Sequence, residues 1–158
     1  MLFIRPFDYV VYAIEKGKVI PIYEISLPNQ LPLKKIKEKM NHSEIPTSGY
    51  AYGLDNMYIA GKILHFIFFK DGFVVSNFYD LSTDNLLYSG IRVLGDARKN
   101  LPFYSLINGV YNGKFFSLVS PFSITDRRIL HPEHFSDELL NIKEEDNYIL
   151  TFFTFKGF

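Results

Sequence analysis

The run Ile63-Leu64-His65-Phe66-Ile67-Phe68-Phe69-Lys70-Asp71-Gly72-Phe73-Val74-Val75-Ser76-Asn77-Phe78-Tyr79 constrains this chain more than any other stretch. It is the densest concentration of β-branched and aromatic residues, and its Asp-Gly pair is a hairpin signal, so it predicts two antiparallel strands. On the first strand Phe66 and Phe68 fall on one face, and Ile63, Ile67 and Phe69 on the other. Both faces are then apolar, whereas a strand with one wet face alternates apolar and polar residues. The rest of the chain has to cover both sides, with a second sheet, with helices, or with further sheets of the same kind.

The material for that cover is present. With 158 residues, 47% of them hydrophobic and 17% aromatic, the chain can bury a sizeable core as one domain-sized piece, residues 1–158. Lys plus Arg and Asp plus Glu number 17 each, so no bulk charge draws a polyanion, and nucleic acid is not an expected partner. Cysteine is absent, which removes disulfides, thiolate metal sites and thiol nucleophiles. The longest apolar run, residues 63–69, is far short of the roughly 18 residues of a membrane-spanning helix. Met1-Leu2-Phe3-Ile4-Arg5-Pro6-Phe7-Asp8 lacks the basic region and long apolar region of a signal peptide and reads as the start of a strand.

Residues 8–25 predict a hairpin around Glu15-Lys16-Gly17-Lys18, with Pro21 placing the returning strand at an edge, at a strand start or at a bulge. Prolines 28, 32 and 46 then frame a short amphipathic helix in which Leu33, Ile36 and Met40 share a face and Lys34, Lys35, Lys37 and Lys39 form a solvated one. Residues 50–93 return to strands, beginning with Met57-Tyr58-Ile59-Ala60. After a turn-rich loop at 95–102, strands over 105–111 and 114–119 meet at Asn112-Gly113, a strong hairpin signal. A helix is expected over 131–140, with Pro132 in its first turn, and a last strand over 148–156. One hairpin recurs: Val11-Tyr12-Ala13-Ile14, four turn residues and Val19-Ile20 align without a gap on Phe78-Tyr79-Asp80-Leu81, four polar residues and Leu86-Leu87, with Tyr12 and Tyr79 lying 67 positions apart. That spacing fits one four-stranded repeat of about 40–50 residues plus the helical excursion.

Short strands in hairpins, a repeated aromatic hairpin and helix-bearing connections suggest a β-propeller, whose sheets are covered on both faces by neighbouring blades. Phe3-Ile4-Arg5-Pro6-Phe7-Asp8-Tyr9-Val10-Val11-Tyr12, Phe78-Tyr79-Asp80-Leu81-Ser82-Thr83 and Leu140-Asn141-Ile142-Lys143-Glu144-Glu145-Asp146-Asn147-Tyr148-Ile149-Leu150 resemble the C-terminal half of the six-bladed, TolB-like β-propeller proteins of Bacteroides-type gut bacteria. The resemblance runs over most of the chain and implies an all-β fold with short helical insertions. It implies about three blades of six, over residues 8–25, 50–91, and 105–119 with 148–156. It also implies a binding or scaffold role at the periplasm or cell envelope, and it carries over no catalytic signature. Family members are about twice as long, so the resemblance places the missing blades, and any export signal, ahead of Met1. The expected partner is therefore that missing N-terminal half or a second copy of the chain, since both ends here are apolar: Leu2-Phe3-Ile4 and Phe152-Phe153-Thr154-Phe155.

Few residues suggest chemistry. His131 and His134, three apart with Glu133 and Asp137 nearby, are weak metal-ligand candidates, because a zinc helix spaces its histidines four apart around a Glu. His65, inside the apolar strand, reads as a hydrogen-bonded core histidine before a functional one. Arg5 and Asp8, charged residues among Phe3, Ile4, Phe7 and Tyr9, are weak ligand-binding candidates; each should meet an opposite charge, a turn backbone or solvent. Asp8, Asp55, Asp71, Asp80 and Asp84 neighbour turns, where carboxylates accept backbone hydrogen bonds. No phosphate loop or cofactor motif is present. The leading expectation is a non-enzymatic module binding a protein, peptide or glycan. The alternatives are a carbohydrate-active hydrolase or lyase with its site at a central channel, and a purely structural half-propeller completed by another chain.

Overall fold

Asp71 and Gly72 take positive φ, 51° and 78°, the geometry of a two-residue type I′ turn. Around them the predicted strands form an antiparallel ladder without a break, from Ile63 opposite Asp80 to Lys70 opposite Phe73. Leu64, His65, Phe66, Ile67 and Phe68 are all buried, so the first of these strands is covered on both faces, as its composition demands. The structure, a computed structural model, describes residues 2–37, 44–91, 106–130, 139 and 141–154. It is mostly β, with three antiparallel sheets among the described residues and none of them closed. The chain divides into two compact units, Met1–Ile91 and Arg92–Phe158.

The first unit holds two sheets. In the smaller, β1 (Leu2–Ile4), β2 (Val10–Glu15) and β3 (Lys18–Glu24) lie in that order, with Lys16-Gly17 as the turn. Pro21 lies on the edge strand beside a bulge, where no ladder donor is needed. In the larger, β4 (Ala51–Ala60), β5 (Ile63–Lys70), β6 (Phe73–Asp80) and β7 (Asn85–Gly90) follow in sequence. Strand β4 begins six residues before the expected Met57, because two bulges carry it past Gly53 and Asp55-Asn56. Gly53 and Asn56 supply positive φ at those bulges, 66° and 51°.

The repeated hairpin is real, but its returning strand is offset from the ungapped alignment. Val11 pairs with Tyr23 and Tyr12 with Pro21; Phe78 pairs with Tyr88 and Tyr79 with Leu86. The same bulge thus falls at the aligned Val11-Tyr12 and Phe78-Tyr79 steps, leaving Ile22 and Leu87 as the extra residues. The turns differ, two residues at Lys16-Gly17 and four at 81–84, so Pro21 and Tyr23 match Leu86 and Tyr88 rather than residues two further on.

One core serves both sheets of this unit: Tyr9, Leu27, Ala51, Leu54, Leu64, Phe66 and Phe68, with Ile4 and Ile25 packed on it. Burying each of its large side chains contributes about 1.5–3 kcal/mol. The connection after β3 is tied to β4 by Leu31 N–H to Ala51 O (2.9 Å) and Ala51 N–H to Asn29 O (3.0 Å), and the Tyr9 hydroxyl donates to Leu31 O at 3.3 Å. Helix α1 (Leu33–Lys37) follows; the rest of the expected helix, to Met40, lies outside the described residues. Leu33 is 53% exposed, so it does not anchor the apolar face expected of it; Lys35 instead folds over the Tyr50 ring and bonds its hydroxyl.

In the second unit, β8 (Gly109–Tyr111) and β9 (Lys114–Val119) meet at Asn112-Gly113, and β10 (Ile149–Phe153) pairs with β9 on its other side. Helix α2 (Pro121–Leu130) starts ten residues before the expected helix, with Pro121 at its first position, the place proline suits. The expected loop at 95–102 and the helix over 131–140, apart from Leu139, lie outside the described residues. Val119 and Ile124 form a small core with Leu139, Ile142 and Ile149.

Candidate functional site

His65 is 1% exposed and both ring nitrogens are engaged: Nδ1 lies 3.0 Å from Asn56 O and Nε2 lies 3.0 Å from Ser76 Oγ. A carbonyl only accepts, so the proton sits on Nδ1 and Nε2 accepts from the serine hydroxyl. Burial lowers the His65 pKa to about 4, against the opposing pull of the Asn56 carbonyl, and the ring is neutral at physiological pH. Its tilted contact with Phe78, 4.8 Å between centroids, completes a packing role. This histidine ties the β4 bulge to β6.

Arg5 and Asp8 flank a turn closed by Asp8 N–H to Arg5 O at 3.0 Å. Asp8 Oδ1 accepts from Val10 N–H (3.2 Å) and Oδ2 from the Tyr12 hydroxyl (2.9 Å), which raises the Tyr12 pKa. Exposed Arg5 sets its guanidinium 4.5 Å from the Tyr12 ring centroid. Asp55, Asp80 and Asp84 are also hydrogen-bond acceptors at turns or bulges. Asp55 takes Asn56 N–H, Asp80 takes both the hydroxyl and N–H of Ser82, and Asp84 takes the Tyr79 hydroxyl at 2.5 Å. The Ser82 bonds, hydroxyl first, hold the Asp80 carboxyl below its usual range, and the Asp84 bond raises Tyr79. His131 and His134 lie outside the described residues, among which no group of three or more His, Cys, Asp or Glu could hold a metal ion.

The feature that sequence reasoning missed is a cleft of about 620 Å³ in the first unit. Its floor is the Leu64, Phe66 and Phe68 face of β5, continued on β6 by Asn77 opposite Phe66 and Tyr79 opposite Leu64. Tyr23 and Glu24 of β3, with Asp84 and Ser89 around β7, supply polar groups. The size and the mix, apolar with a few polar groups, are those of a small-ligand site. Asn77, 3% exposed within an otherwise apolar face, was the available signal; its Nδ2 donates to Val75 O at 3.1 Å. Neither Arg5, Asp8 nor His65 lines this cleft.

No family model and no curated protein matches the chain. The chain is similar in structure to a protein of Bacteroides fragilis NCTC 9343 named "Putative exported protein", whose crystal structure superposes with a TM-score of 0.74 at 19% identity. That match covers 99% of this chain and 47% of the other, so the chain spans about half the length of its neighbour. At this identity the likeness establishes the fold. Among the described residues, no helix is long and apolar enough to cross a membrane.

Proposed function

We propose that this chain is half of a six-bladed, TolB-like β-propeller that acts as a non-enzymatic binding module at the cell envelope, with its ring completed by a second copy. The observation that carries the reading is the succession of three open antiparallel sheets in a chain matching 47% of a longer neighbour over 99% of its own length. The bulged hairpin shared by β2–β3 and β6–β7 supports it, since repeated sheets of one kind are what a propeller is built from. The neighbour's name supports an envelope location.

The binding site in this reading is the cleft over β5 and β6. Tyr23 and Tyr79 offer rings for stacking, and Glu24, Asp84 and Ser89 offer acceptors for hydroxyl or ammonium donors. No Lys or Arg is among its described lining residues, so the ligand is a neutral or cationic glycan or peptide. A sugar hydrolase or lyase is the second reading, favoured by Glu24 and Asp84 lining one cleft. Calorimetric titration with neutral oligosaccharides and basic decapeptides, paired with a reducing-end assay on the same mixtures, separates the two. Binding without new reducing ends supports the module; turnover abolished by Asp84→Asn establishes the enzyme instead.

A further inference from the structure

We infer that Asn77 is the specificity-determining residue of the cleft over β5 and β6, and that its ligand is a neutral pyranose glycan held by a vicinal pair of hydroxyls. This rests on the binding-module reading and names the chemistry of its site. Register places the residues. Phe66 of β5 and Ser89 of β7 stand opposite Asn77 on its two sides, and Leu64 and Leu86 flank Tyr79 in the next row of the same face. All six line the cleft, whereas Ser76 and Phe78, the neighbours of Asn77 on β6, do not. Alternation along the strand therefore turns the Asn77 side chain toward the cleft.

The amide is buried, 3% exposed, yet only partly used. Val75 O can only accept, so the atom it holds at 3.1 Å is Nδ2, which fixes the orientation of the amide. Among the described residues nothing donates to Oδ1 and nothing takes the second N–H. Nor is Oδ1 sealed: the side-chain polar atom that is both closed off from solvent and unpartnered among the described residues is Asn56 Oδ1, so that of Asn77 opens on the cleft it lines. The fold does not ask for an amide here. Alignment of the two bulged hairpins puts Val10 in the same place on β2, and the bond to Val75 stays within β6 and ties no two elements together. An amide with a free acceptor and a free N–H matches a vicinal diol, one hydroxyl donating to Oδ1 while its neighbour accepts from Nδ2. Phe66 beside it offers an apolar surface to the C–H face of a sugar ring, and exposed Ser89 a further hydroxyl. The carboxylates of Glu24 and Asp84 only accept, a demand that sugar hydroxyls meet by turning to donate and that a peptide carbonyl cannot meet. An ammonium group brings donors alone, leaving the Asn77 N–H unanswered and lodging its charge on an apolar floor.

The isotope-labelled full chain is titrated with cellotriose, maltotriose and mannotriose, with the permethylated form of each, and with a basic decapeptide. At least one of the trisaccharides should move the Asn77 side-chain amide resonances together with the backbone amides of Phe66 and Ser89. Permethylation removes every donor and keeps the ring, and should weaken that trisaccharide by about tenfold or more, as a site built around a hydroxyl rejects an analogue lacking it. Asn77→Val, which copies Val10, should weaken it by about as much while the rest of the amide spectrum stays that of the parent. Should that variant fail to fold, the permethylated probes decide alone. A trisaccharide bound equally well by Asn77→Val, one bound equally well when permethylated, or a set that leaves the Asn77 resonances in place overturns the inference. In those cases binding of the decapeptide, or of a sugar elsewhere on the chain, leaves the binding-module reading standing; a chain that takes up none of the probes counts against both.

Discussion

His65 is the residue whose chemistry is most constrained by its surroundings. Its folded pKa, about 4, lies below the ordinary 6.5, so the unfolded chain binds a proton at pH values where the folded one does not. The associated stability is fully present above pH 6.5 and is lost as pH falls toward 4, at up to 1.36 kcal/mol per unit and about 3 kcal/mol in all. Denaturant midpoints measured from pH 7 to 4.5 should fall through this window, and the fall should flatten in His65→Gln. At Asp8 two hydrogen bonds are at stake, one to a backbone N–H and one to a tyrosine hydroxyl. Asp8→Ala should destabilise by about 1–2 kcal/mol, whereas Arg5→Ala, losing an exposed cation–π contact, should lose about 0.5–1 kcal/mol by thermal melting. If Asp8→Ala melts like the parent, the turn does not need its carboxylate.

Among the elements, the irregular strand β4 is the least legible in sequence and the most informative in structure. Gly53 and Asp55-Asn56 carry turn chemistry, yet they bulge a continuous strand, because β5 offers a regular, largely apolar strand to pair with on both sides of each bulge. At Gly53 a side chain would face two obstacles: φ is 66°, and an added Cβ would lie 3.1 Å from the Phe69 ring. Gly53→Ala should therefore destabilise by at least about 1–2 kcal/mol, the cost of the left-handed conformation alone, as read from denaturant midpoints. The regular hairpins were legible because Asp71-Gly72 and Asn112-Gly113 specify their turns locally. Helix α2 was not, since Ser123, Ile124 and Thr125 favour it weakly and its support is the tertiary packing of Ile124. The cleft over β5 and β6 was hidden for a different reason. It joins Tyr23 and Glu24 to Tyr79 and Asp84, residues brought together only by sheet packing, with Asn77 as the lone local hint.

For the molecule as a whole, assembly turns on what covers its apolar surfaces. On the sheet of the second unit, β9 alternates: Phe115, Ser117 and Val119 are buried, while Leu118 is 46% exposed. Beside Leu118 stands Leu150, and Phe152 packs between Phe116 and Tyr111 at 6.2 Å from each ring. Leu150, Phe152 and Tyr111 are exposed as well, so this sheet face is an aromatic and aliphatic patch of the sort that marks an association surface. In the half-propeller reading it is a blade face awaiting its neighbour, and two chains related by a twofold axis would cover it twice over. Light scattering on the purified chain, coupled to size exclusion over a range of concentrations, tests this most directly. A single species of twice the 18.4 kDa chain mass is expected; a monodisperse 18.4 kDa monomer persisting at the highest concentration would contradict the half-propeller reading.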